Sequence, residues 1–349
     1  MEKPPPKSTL SETLLAETEQ LQAAWQRHDA AFLDTYLIRD VEDPRINIQS
    51  ILTRHFLIGE LFGDRYAAIS EHELYFAILV NWLIKQHKSK RSRHEIAWLM
   101  KDVLDRLLED TRESTAEAVP SFIADAFKKL SFPNYISALL MWTPNEYDED
   151  FIPDYLLSTF EHIWAEILAE EHAEPLSVIE AACGSANDYR FLDRYGLGRF
   201  LHYTGFDLSV KNISNAKKHF PGTDFRIGSV FEIPTGDNTY DYCFMHDLFE
   251  HLSPEGINRA VTEIHRVTSR KTCLHFFNMA DIEEDIIQKK EDYHWNRLSL
   301  SCLQKRFKLS ADCFERRHID SWLTDCFAYP DHYNKNAYSW YVCLEDLPV

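Results

Sequence analysis

Val178-Ile179-Glu180-Ala181-Ala182-Cys183-Gly184-Ser185-Ala186-Asn187-Asp188 is the stretch on which the reading of this chain turns, together with Gly205-Phe206-Asp207-Leu208-Ser209, whose Asp207 lies 23 residues beyond Gly184. An apolar run into a cluster of small residues reads as a strand, a tight turn and a helix start, and Asp207 then stands at the tip of a second strand. Small side chains let a ligand approach the backbone at a helix N-terminus, and a carboxylate there can accept hydrogen bonds from a ribose diol. The geometry suits an adenosine-containing cofactor.

Working outward, the segment from 151 to 349 alternates strand-like and helix-like stretches. Strands are expected at 176–181, 202–207, 223–228, 240–245, 272–278, 312–319 and 338–345, the last two as an antiparallel pair joined by a loop. This is an α/β sheet covered on both faces. Residues 1–150 read differently, as successive helices forming an N-terminal all-helical domain, with a boundary near 150 where Pro144, Pro153 and an acidic run break the periodicity. Thr9 with Glu12 and Ser70 with Glu73 have the spacing of capping boxes. Ile48, Ile51, Leu52, His55, Ile58 and Phe62 lie on one helix face, with Gly63 as the stop and a helix over 71–85 as the packing partner. A further helix is expected over 154–171.

The chain has 349 residues, of which 45% are hydrophobic, enough for a sizeable core, and a formal net charge of −19. Both halves are acidic, which disfavours a nucleic-acid partner. The basic cluster at 85–94 falls between apolar helical stretches, where charges solvate a loop. All seven cysteines lie beyond residue 180 in no zinc or redox spacing, so reduced thiols in a cytoplasmic protein are expected. No apolar run reaches the ~20 residues of a membrane span, and the amino terminus lacks a secretion signal.

The residues of the second half resemble the class I S-adenosylmethionine-dependent methyltransferases, whose seven-stranded, doubly wound, Rossmann-like sheet would occupy residues 151–349. Glu180, Ala182, Gly184 and Ala186 match that family's first motif, with alanine at two of its three usual glycines. By this resemblance the cofactor is S-adenosylmethionine. Glu180 would organise the loop and the methionine amino group, Ala182 and Gly184 would lie against the ligand, and Asp207, with Leu208 beside it, would hold the ribose hydroxyls. Gly228-Ser229-Val230 is similar to the third motif, with Ser229 where an acidic residue commonly receives the adenine amino group and the Val230 backbone as its substitute. His246 and Asp247, where the fourth strand ends, would border the methyl group.

Methyl transfer from a sulfonium needs alignment and, where the acceptor carries a proton, one base. The candidates are His246, Asp247 and His251, with His275 and His294 behind them; His246 is favoured by its place at the carboxyl end of a strand. Asp247, Glu250 and His251 also resemble a Glu-x-x-Glu-His metal site, but Glu-His-Leu is common in metal-free members and no metal is assigned. Tyr293, His294, Asn296 and Arg297 are candidates for contact with the acceptor; Asn296 and Arg297 have a second reading as pins holding their loop to a helix cap. The expected function is methylation of oxygen or nitrogen in a small molecule such as a sugar, a phosphorylated metabolite or a natural-product intermediate. A non-catalytic partner protein with an eroded pocket and a metal-assisted RNA O-methyltransferase are the alternatives. The N-terminal helices would serve as a lid, an acceptor pocket or a homodimer interface.

Overall fold

The computed structural model describes residues 8–26, 43–88, 154–290, 293–308, 314–327, 329 and 332–344. The boundary expected near 150 and the basic residues from Ser89 onward lie outside them. The elements are α1 (Glu12–Gln26), α2 (Ile48–Phe62), α3 (Ala67–Lys88), α4 (Asp154–Leu157), α5 (Thr159–Ala169), β1 (Leu176–Ala181), α6 (Asn187–Arg194), β2 (Leu201–Asp207), α7 (Val210–His219), β3 (Asp224–Ile227), β4 (Tyr240–His246), α8 (Pro254–Val267), β5 (Thr268–Phe276), α9 (Leu300–Arg306), β6 (Phe314–His318), α10 (Ile319–Phe327) and β7 (Tyr338–Cys343).

The strands form one sheet in the order β6-β7-β5-β4-β1-β2-β3. β1 pairs in parallel with β2 and β4, whereas β7 runs antiparallel between β5 and β6. The chain order reverses beside β1, so the carboxyl ends of β1 and β4 open a crevice there, the place where ligands collect in sheets of this kind. The expected antiparallel final pair is present, but α10 lies between its strands where a loop was expected. Successive residues of β4 serve opposite faces: Tyr242 and Phe244 enter one apolar core, Cys243 and Met245 the other. Burial on both sides is why these strands read as nearly continuous apolar runs.

The N-terminal helices share the sheet's core. Ile51, Leu57, Phe76 and Ala77 belong to one cluster with Trp164, Val178, Tyr203 and Phe244. Asn47 caps α2 by accepting from the Ser50 N–H at 3.0 Å, and Gly63 ends it at φ 61°. Buried Arg54 of α2 pairs with buried Glu73 of α3 at 2.6 Å. Glu73 also accepts from Trp164 Nε1 at 2.7 Å, and the Arg54 guanidinium lies 4.2 Å from the centroid of Tyr195. Although burial opposes its charge, Arg54 and His55 hold Glu73 at about 2. One ion pair thus ties two helices to α5 and to the turn after α6.

Both expected capping boxes are overturned. Ser11, not Thr9, caps α1 by accepting from the Leu14 N–H at 3.2 Å, while the Thr9 N–H donates to Glu232 at 3.1 Å. Ser70 lies inside α3, which starts at Ala67 after a short 3-10 turn over Gly63–Tyr66. Among the described residues no helix is long and apolar enough to cross a membrane.

Candidate active site

A cavity of about 710 Å³ lies at the carboxyl edge of β1, β2 and β4. Its floor is the turn between β1 and α6, where Ala182, Gly184 and Ala186 all take left-handed backbone conformations, with φ of 60°, 54° and 67°. The two alanines therefore hold glycine-like conformations at a cost of roughly 1–2 kcal/mol each. Ala182 lines the cavity, whereas Ala186 is buried at the start of α6. A side chain added at Gly184 would meet nothing within 4 Å, because that position opens into the cavity.

Asp207 accepts from the Gly184 N–H at 3.1 Å, from the Ser209 N–H at 2.7 Å and from Asn212 Nδ2 at 3.3 Å. Burial still raises its affinity for a proton. A carboxylate has about four lone-pair sites, so three donors leave room for a ribose hydroxyl. Glu180 is fully buried, receives the Tyr203 hydroxyl, and is pushed well above the carboxylate range by burial and by the nearby Asp188 and Asp207. Leu208, Ser229 and Val230 complete this side, the Ser229 hydroxyl accepting from the Phe231 N–H at 3.2 Å. An open glycine backbone, a ribose-ready carboxylate and an apolar adenine flank fit S-adenosylmethionine.

The other side is assembled from distant segments. His246 Nδ1 faces Asp188 Oδ2 at 3.2 Å and its Nε2 meets Thr53 Oγ1 at 2.8 Å. That hydroxyl continues to His275 Nε2 at 2.9 Å, and His275 Nδ1 reaches Ser339 Oγ at 2.8 Å. Burial works against a charged His246, yet Asp188 and Asp247 raise its proton affinity; His275 is driven well below the histidine range by burial and by His246. Asp188, His246, Thr53, His275 and Ser339 form one continuous hydrogen-bonded chain that reaches from the cavity into the core. Both ring nitrogens of His246 are thus engaged with the protein, and neither is free toward an acceptor. Asp188, under the opposing pulls of burial and His246, ends below the usual carboxylate range.

Asp247 has φ 51°, accepts from Gln49 Nε2 at 3.3 Å, and is pushed to about 6 by burial, a neighbouring His246 notwithstanding. His251 Nδ1 donates to the His294 carbonyl at 3.1 Å, which leaves Nε2 as the unprotonated nitrogen, and burial lowers its proton affinity. Its ring lies 5.5 Å from Phe277, 5.8 Å from Tyr293 and 5.4 Å from Trp295.

Of the residues expected to touch the acceptor, Tyr293 lines the cavity, but His294, Asn296 and Arg297 do not. His294 contributes its carbonyl to His251. Asn296 is fully buried: its N–H donates to Glu250 O, its Nδ2 to Leu252 O, and its Oδ1 accepts from the Gln288 N–H, at 2.7–3.1 Å. Arg297 donates to Asn336 Oδ1 at 2.7 Å. Asn296 and Arg297 are thus corrected to loop pins, because a buried amide or a paired guanidinium is already spent on the protein. Glu250 turns away from Asp247 and His251 to accept from the N–H groups of Phe277 and Asn278. Among the described residues no group of three or more His, Cys, Asp and Glu side chains is arranged to hold a metal.

Sequence reasoning missed Asn47, Gln49, Ser50 and Asp188, all lining the cavity, the first three from the start of α2. Only Asp188 carried a local signal, its place one residue into α6.

Residues 178–271 match a family model described as a methyltransferase domain. No curated protein matches the chain. Among solved structures it is similar to a Pyrococcus horikoshii protein (16% identity, 61% of this chain and 96% of that one, TM-score 0.36). A Methanosarcina mazei S-adenosylmethionine-dependent methyltransferase gives 13% identity over 51% and 96%, with TM-score 0.37. One from Mesorhizobium loti gives 11% over 49% and 91%, with TM-score 0.36. At such scores the weight rests on the family model, the strand order and the pocket. Residues 178–271 thus carry a methyltransferase domain, in a sheet of the class I type whose pocket fits S-adenosylmethionine as the cofactor.

Proposed function

We propose that this methyltransferase acts on a nitrogen or oxygen atom of a small-molecule acceptor. The observation that carries the proposal is the continuity of one cavity from the turn at Gly184 to the rings of Tyr293 and Trp295. Its volume is in the range of small-ligand sites, so a nucleoside and a compact acceptor can lie end to end.

When bound, the cofactor supplies a methyl carbon on a positively charged sulfur, a reaction that needs alignment and little covalent help. In this reading Asp207, Leu208 and Gly184 hold the ribose, Ala182 limits the depth of entry, and Ser229 with Val230 flanks the adenine. Glu180 faces the methionine end, and its buried acid accepts the Tyr203 hydroxyl while organising the turn. His251 is the base: its Nε2 carries the free lone pair, and the His294 carbonyl fixes the tautomer. His246 is a positioning residue, held between Asp188 and Thr53 by both ring nitrogens. Asp247, next to it, borders the reacting atoms.

Transfer of a radiolabelled methyl group from the cofactor to a panel of amines and alcohols tests this reading. His251→Ala is expected to lower kcat by about 100-fold or more, the usual scale of general-base loss, with binding of S-adenosylhomocysteine unchanged. Full turnover in His251→Ala would reject the assignment. Label incorporated only into RNA would reject a small-molecule acceptor.

A further inference from the structure

The acceptor side of the cavity has a chemical bias. Glu180, Asp188, Asp207 and Asp247 line the cavity, and among the described lining residues there is no Lys or Arg. Three of these carboxyl groups are already engaged: Asp188 with His246, Asp207 with three N–H donors, Glu180 with Tyr203. Asp247 has one amide donor, Gln49, at 3.3 Å, and keeps acceptor capacity toward the cavity. A phosphate or carboxylate would enter here beside Asp247 with no Lys or Arg side chain in the described lining to receive it.

The aromatic wall is an independent observation. Trp295 is 43% exposed and Tyr293 38% exposed, and both line the cavity. The Trp295 ring lies 5.0 Å from Phe277 and 5.4 Å from His251, and the Trp295 backbone N–H donates to the Gln288 carbonyl at 2.7 Å. Asn296, buried beside it, holds the loop down. Lys289 and Lys290, in the same hairpin, are exposed and do not line the cavity. Aromatic faces held rigidly near a carboxylate are the surroundings that favour an organic cation, through cation–π attraction.

We infer that the acceptor is an amine that arrives as its ammonium ion, held between the Trp295–Phe277–Tyr293 wall and the carboxylate of Asp247, and that anionic acceptors are excluded. This rests on the proposed small-molecule reading and narrows it to nitrogen. The ammonium first gives one proton to His251 Nε2, producing a neutral amine and an imidazolium. The nitrogen lone pair then forms the bond to the methyl carbon as the carbon–sulfur bond breaks, and that bond's electron pair stays on sulfur. The products are a methylated ammonium, a thioether and protonated His251, which returns its proton to water.

The test is calorimetric titration of the full chain, first with S-adenosylhomocysteine and then, with that ligand saturating, with tetramethylammonium, choline and inorganic phosphate. Both cations are expected to bind saturably and phosphate not at all. Trp295→Leu is expected to weaken cation binding about ten-fold, Trp295→Phe to restore most of it, and Asp247→Asn to weaken it by a similar factor, with S-adenosylhomocysteine affinity constant in all three. Phosphate binding as well as the cations, or cation binding indifferent to Trp295 and Asp247, would overturn the inference. Loss of S-adenosylhomocysteine binding by the unmodified chain would instead count against the cofactor site on which the proposed function stands.

Discussion

The two sides of the cavity are built in opposite ways. The cofactor side comes from neighbouring stretches of chain, chiefly the turn after β1 and the tip of β2, closed by the Gly184 N–H on Asp207, with Ser229 and Val230 following after β3. The acceptor side draws on α2, the end of β4 and a loop near 295, joined by bonds across great sequence separations such as Thr53 to His246. A site made locally tolerates change elsewhere; a site made of distant parts depends on whatever docks them. Here that is the core shared by the N-terminal helices and the sheet.

The largest expected effect therefore lies outside the cavity. Arg54→Ala would leave the buried charge of Glu73 without its guanidinium, with His55 and Trp164 as its remaining partners, a loss on the order of 3–5 kcal/mol. Thermal unfolding should show it as one cooperative transition shifted well down in temperature. An unshifted main transition would mean that α2 and α3 are an appendage, and the contrast between the two sides would fall. Next in size is Asp207→Ala. It removes a charged acceptor from three N–H donors and the ribose, so S-adenosylhomocysteine affinity should drop about 100-fold, as expected for two charge-assisted hydrogen bonds of about 1.5 kcal/mol each. Equal affinity by calorimetry would remove Asp207 from the site.

A smaller effect should depend on pH. Glu250 is pushed from 4.5 to about 8 by burial, with Asp247 adding to it. The folded chain thus keeps a proton that the unfolded chain releases; this contribution to stability is complete below about pH 4.5 and is lost as pH rises through 8. Glu250→Gln removes that loss, so its unfolding free energy should gain on the parent's as pH rises, by on the order of 2 kcal/mol at pH 9. A gap constant from pH 4 to 9 would contradict a protonated Glu250. The smallest effect sharpens the cofactor side. Ala182→Gly should relieve the left-handed strain, offset in part by the entropy of glycine, for a net gain of about 0.5 kcal/mol. Denaturant melts would detect it, and cofactor affinity should rise a few-fold because the backbone becomes easier to approach.

The same contrast explains what could be read in advance. β1, its turn and Asp207 were legible because strand, small residues and carboxylate are near one another in sequence. The face of α2 was legible from its period and from Gly63. Ser70 with Glu73 misled because the pattern of a cap is local, whereas Glu73 answers to Arg54, 19 residues away, and to Trp164. α10 escaped notice because β6 runs into it with no breaking residue. Asn296 looked like a ligand residue because a polar side chain among aromatics looks the same in sequence whether it faces a cavity or the loop's own backbone. Gln49 and Ser50 gave no sign at all, since only docking of α2 brings them to Asp247 and Asp188.

Hydrogen exchange of the full chain with and without S-adenosylhomocysteine tests most directly that one cavity joins these two constructions. The expected result is slowed exchange in the segments 181–188 and 205–209, with slowing also at 43–53 where α2 begins. No protection at 181–188, with ligand bound, would contradict it.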